Sequence, residues 1–132
     1  MSILGLLAAG SLVSVGVACQ DAIDRGQQPG NACSYKHAQF IDAQLNDLWR
    51  EVVPIFRDQD RDWEQKYGNA GFFDLILEEQ RAWVRYREAV CAHRRFTFYN
   101  GSAASWIYNE CMVDMALDRM RYLKNLARME QE

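Results

Sequence analysis

The sequence predicts an all-α fold, a small antiparallel bundle of three to four helices stapled by disulfides. Three observations predict it. Apolar residues recur at i, i+3 and i+4 over long segments, which is the spacing of one helix face. Glycine-containing breaks separate those segments, and strand-like alternation is weak everywhere. Four cysteines stand in a chain of 132 residues, an even number of the kind that cross-links short exported domains. The length fits one domain, and 49% apolar with 25% charged residues suffices for a core.

The first 18 residues are expected to be an export signal. They contain no charged residue, and their apolar run (Ile3 to Ala9, then Leu12 to Val15) is interrupted by Gly and Ser. That run is too short for a membrane-spanning helix. Gly16 and Ala18 supply small residues three and one positions before Cys19, where a signal peptidase cuts. The signal departs from the usual pattern in having no Lys or Arg ahead of the apolar run. Residues 19–132 form the expected mature domain. Cys19 has a second reading: a chain cut directly before a cysteine can carry a lipid there, and only then would it be tied to a membrane.

Gln20 to Asn31 is polar, holds Gly26, Pro29 and Gly30, and reads as a loop. A first helix is expected from about Ala32 into the fifties, with Ala38, Ile41, Leu45, Leu48, Val52 and Ile55 as its apolar stripe. Pro54 should kink or restart it, since its ring removes a hydrogen bond and crowds the preceding turn. The charged run Asp58 to Lys66 reads as a short exposed helix, and Tyr67 to Gly71 as a break. A second helix is expected over Phe72 to Tyr99. Asn100 and Gly101 close it, and Ser102 is placed to cap a third helix from about Ala103 to Met129. In that helix acids precede bases, which matches the helix dipole without invoking a function.

Cys91 and Cys111 each lie about ten residues from the turn at Gly101, so in an antiparallel pair they are level, and a bridge there would contribute about 3 kcal/mol. Cys19 and Cys33 would then pair. Four cysteines allow three connectivities, and all three stay open at this level. No CxxC pair occurs and only His37 and His93 accompany the cysteines, so neither a metal site nor a cofactor is expected. A net charge of −3 lacks the basic footprint of a nucleic-acid-binding protein. Adjacent Glu78 and Glu79 point in different directions on a helix, and no nucleophile–base pattern is present, so an enzyme is not expected.

Two groups of residues invite a role. On the second helix Ile76, Gln80, Trp83, Arg87 and Val90 form one stripe, with polar residues where a core face should be apolar. Asp42 and Asn46 share a face of the first helix. Packed antiparallel, Arg87 would meet Asp42, and Asn46 would meet Gln80. Such a buried polar cluster around Trp83 is expected to fix helix register. The second group is Asn100, Gly101, Ser102, Ser105 and Trp106, a small-residue tip beside an aromatic. It is a helix cap on the plain reading and a partner-binding loop on the functional one. The acidic run Asp58 to Glu64 is an alternative contact for a basic partner.

These blocks resemble the LprI-type lysozyme-inhibitor family of small exported bacterial proteins. The resemblance is carried by Cys33 followed by Asp42-Ala43-Gln44-Leu45-Asn46 and Trp49. It continues through Gln80-Arg81-Ala82-Trp83, Tyr86-Arg87-Glu88 and Cys91, then Gly101-Ser102, then Cys111 with Arg119 and Leu123. Cys19 fits the family's upstream cysteine. Ala116 stands where the family often has Thr, and Glu88 where Asp is common. The resemblance implies a periplasmic or cell-surface protein that binds and blocks a lysozyme or another cell-wall hydrolase. A different protein partner, such as a toxin met by an immunity protein, is the alternative.

Overall fold

The computed structural model describes residues 12–99 and 101–131. Residues 1–11 of the expected export signal and Asn100 of the expected tip lie outside that range. The described residues form five helices and no strand: α1 Val15–Ala18, α2 Gln20–Asp24, α3 Gln27–Tyr67, α4 Phe72–Phe96 and α5 Ala104–Gln131. The long helices α3, α4 and α5 make the antiparallel bundle, and the short α1 and α2 fold back on its N-terminal end.

The core lies mainly between α3 and α5. Ile41, Leu45, Leu48, Val52 and Phe56 of α3 are buried against Val113, Ala116, Met120, Leu123 and Ala127 of α5. Each large side chain removed from water in this way stabilises the fold by roughly 1.5–3 kcal/mol. From α4 only Ile76, Arg87 and Cys91 are buried. This helix therefore meets the bundle through a polar seam.

Three expectations about elements are corrected. The segment read as a loop from Gln20 holds α2, and α3 begins at Gln27. Pro29 falls in the first turn of α3, where its missing N–H would have had no helical partner. Gly30 is buried because α2 crosses there, and a Cβ on it would lie 2.4 Å from Ile23 Cδ1 and 3.1 Å from Ile23 Cα. Pro54 does not end the first helix, and the run Asp58 to Lys66 continues α3 without a separate element. Val52 and Phe56, both fully buried, anchor α3 on either side of the exposed proline. Tertiary packing there outweighs one lost hydrogen bond.

α3 stops at Gly68, whose φ of 72° suits glycine and whose N–H reaches Glu64 O. α4 has no cap of its own. Asp60 of α3 supplies one, with Oδ1 accepting the Gly71 and Phe72 N–H groups at 3.0 Å each. At its other end α4 gives way after Phe96 to tight i to i−3 bonds through Tyr99. α5 starts at Ala104, so Ser102 lies in the preceding turn.

Two disulfides fasten the bundle, Cys19–Cys33 and Cys91–Cys111, with Cα–Cα separations of 5.7 and 5.6 Å. The sulfur of Cys19 is thus committed to Cys33 and cannot also carry a lipid thioether. Upstream of it, Val15 is fully buried, Leu12 packs on the core, and a ring nitrogen of His37 meets Val13 O at 2.7 Å.

Candidate functional site

The polar seam between α4 and its neighbours is built around Trp83. Arg87, 7% exposed, donates from Nη1 to Asp42 Oδ1 at 2.7 Å and to Met112 O at 3.5 Å. Its guanidinium carbon lies 4.8 Å from the Trp83 ring centroid, while its Nε has no hydrogen-bond partner among the described residues. The ring face supplies attraction to a cation that its carboxylate partner, half-exposed, only partly neutralises.

Asn46 does not join this seam. It is exposed, and Gln80 turns instead to α5, accepting from Arg119 Nε at 2.9 Å. Arg119, also 7% exposed, donates to Glu79 at 2.7 Å and lies 5.5 Å from the Trp83 ring and 4.7 Å from Tyr122. Tyr122 completes the cluster through its hydroxyl, which donates to Glu79 at 2.8 Å. Burial first, and the Glu79 bond second, push that phenol above its ordinary range and keep it a donor. Arg119, Glu79 and Tyr122 were not expected in this cluster, because the order of charges along α5 matches the helix dipole and gave Arg119 no separate role. These contacts tie α4 to both α3 and α5, so the seam can hold three helices in register.

The tip between α4 and α5 is arranged differently. Gly101 and Ser102 are exposed, and Ser102 O accepts from Asn31 Nδ2 at 2.8 Å, which ties the tip to the start of α3. Asn109, buried, donates to Ser34 Oγ at 3.0 Å just behind it. Trp106, expected as part of a binding loop, packs on the core instead. Exposed aromatics of this end include Phe96, Phe98 and Tyr99, which the sequence places inside the second helix. An uninterrupted helix would have turned part of that run toward the bundle, whereas the tightened last turn leaves all three rings outside.

Beside the tip a cleft of about 440 Å³ opens between α3 and α5, lined by Asn31, Tyr35, Arg95, Ser105 and Tyr108. Arg95 stacks 5.5 Å from Tyr108. The Tyr108 hydroxyl reaches Glu88 at 3.2 Å, and burial, then the Glu88 charge and bond, raise its pKa. At the far end of α3 the acidic run is partly committed: Asp60 caps α4 and Asp58 pairs with Arg61. Among the described residues no cluster of His, Cys, Asp and Glu could hold a metal ion.

The family model described as lysozyme inhibitor LprI matches residues 19–123. A protein of Rhizobium meliloti (strain 1021), itself described as uncharacterized, is 29% identical over 111 residues, covering 82% of this chain and 77% of its own length. No solved structure matches.

Proposed function

This chain belongs to the lysozyme inhibitor LprI family, and from that premise we propose that it binds and blocks a cell-wall hydrolase of the lysozyme type, with no chemistry of its own. The family match over residues 19–123 is the observation that carries the reading. Two disulfides support an oxidising compartment, hence export to the periplasm or cell surface, with residues 1–18 as the proposed signal. No helix among the described residues is long and apolar enough to cross a membrane.

The polar seam of Asp42, Gln80, Trp83 and Arg87 serves as a register device in this reading. The contact with the hydrolase is assigned to the surface. The experiment is a turbidity assay of lysozyme on bacterial cell walls with purified protein added. Slowed clearing at micromolar protein is the expected outcome. Unchanged clearing across several lysozyme types removes the reading, and clearing by this protein alone makes it an enzyme. Co-purification with an unrelated exported toxin favours an immunity protein.

A further inference from the structure

The stapled end of the bundle combines exposed aromatic rings with a run of bases. From Ala89 to Asn109 the chain has no acid, while His93, Arg94 and Arg95 follow one another. Phe96 and Tyr99 are 71% and 72% exposed and pack on each other, with ring centroids 5.6 Å apart. Phe98 and Tyr35 are exposed as well. Such aromatic clusters are uncommon on a soluble surface unless a partner covers them, and aromatic residues with Arg are the types that dominate interface energetics.

Several nearby acids are engaged elsewhere. Glu88 accepts from Tyr108, and Asp114 of α5 feels Arg94. Asp24 of α2 accepts from Gln20. Among the described residues no carboxylate lies within ion-pair distance of Arg95. Arg94 and Arg95 are both exposed and outside every ion pair among the described residues, and Arg95 lies beside projecting rings and an open cleft.

We propose that this end enters the substrate cleft of a wall-degrading glycosidase, with Arg95 against its paired carboxylates and Phe96, Phe98 and Tyr99 against its sugar-binding floor. The inference rests on the inhibitor reading and adds the surface and the chemistry of contact. Charge complementarity selects the occupant. Glycosidases of this class hold two carboxyl groups at the scissile bond, and a cation flanked by flat apolar faces matches that pair and the walls that stack sugars. The acidic run at Asp58 is about 40 Å away along α3, too far to share such a cleft.

Calorimetry with a c-type and a goose-type lysozyme tests this, each titrated alone and with its cleft filled by an N-acetylglucosamine oligomer. The wild-type protein is expected to bind at least one of them and to be displaced by the oligomer. Arg95→Glu and the double variant Phe96→Ala/Tyr99→Ala are each expected to weaken binding by about 30-fold or more, with melting temperatures unchanged because these side chains are exposed. Asp62→Lys, at the far end, is expected to bind as wild type. Binding that survives the tip substitutions, or that the oligomer does not displace, overturns the surface while leaving the inhibitor reading intact. So does sedimentation showing that the tip residues pair two copies of this chain. Failure of the wild-type protein to bind either lysozyme overturns both.

Discussion

Gly30 and Arg87 show how much a single position decides here. At Gly30 the α2 backbone crosses so closely that a methyl group would overlap Ile23 Cδ1 at 2.4 Å and press on the Ile23 Cα at 3.1 Å. Ala favours a helix over Gly by about 1 kcal/mol, but overpacking a tight crossing costs typically 1–3 kcal/mol. Gly30→Ala should therefore lower the urea midpoint, and a midpoint at or above wild type would show that α2 yields freely. Arg87→Ala leaves the Met112 carbonyl and Asp42 without their donor and uncovers the Trp83 face. Breaking a buried pair costs 3–5 kcal/mol, and the half-exposed Asp42 places this one near about 3 kcal/mol. Equilibrium unfolding of Arg87→Ala, Asp42→Ala and the double variant measures the coupling, and a coupling near zero would deny the pair its role in register. The Arg87–Asp42 contact was legible in the sequence because helical spacing places one Arg, with Gln80, on a stripe that should be apolar. The partner of Gln80 was not: Arg119 shares the buried face of Ala116 and Leu123, but which side chain it meets depends on how α4 and α5 pack.

Among the elements, α1 has the most consequence for its size. Its four residues bury Val15 completely, and Val13 just before it gives His37 a carbonyl partner. If export removes residues 1–18, both contacts go with the signal. A chain beginning at Leu12 should then melt higher than one beginning at Cys19, by about 1.5–3 kcal/mol for the buried valine alone. Equal melting temperatures would mean that α1 docks without holding the bundle together. On α5, burial and then the charge of Asp118 four residues on raise the pKa of Asp114, and Arg94 opposes them. A carboxyl whose folded pKa lies above its unfolded value favours folding while protonated, and that advantage is lost as pH rises from the unfolded toward the folded value. Asp114→Asn should accordingly raise the melting temperature at pH 7 and leave it unchanged at pH 3, and a loss at pH 7 would show the Arg94 attraction to be the stronger. Helix type was legible from periodicity for most of α3, α4 and α5. Boundaries failed where tertiary contacts decide them: at α2, held by a disulfide and Gly30, and at Pro54, spanned by two buried neighbours.

At the scale of the molecule the two ends differ in how they are held. Cys19–Cys33 and Cys91–Cys111 both lie toward the end that carries the α4–α5 tip, whereas the opposite end is joined by the Asp60 cap on α4 and by packing of Phe72 and Phe73. A tip that must enter a cleft gains from being ordered beforehand, because side chains and turns immobilised in the free protein do not have to be ordered on binding. The Cys91–Cys111 bridge closes the hairpin that bears the tip, a loop of 20 residues in sequence separation. In the chain-entropy model a closure of that size contributes about 3 kcal/mol. Replacing both cysteines by serine should lower global stability by about that amount. It should also speed amide exchange more between Ala89 and Asn109 than around the Gly68 break, since only the first region loses a constraint in the folded state. Uniform acceleration along the chain would mean that the bridge acts through the unfolded state alone. Acceleration confined to the tip, together with weaker lysozyme binding by a variant that still folds, would tie the disulfide to recognition as well as to stability.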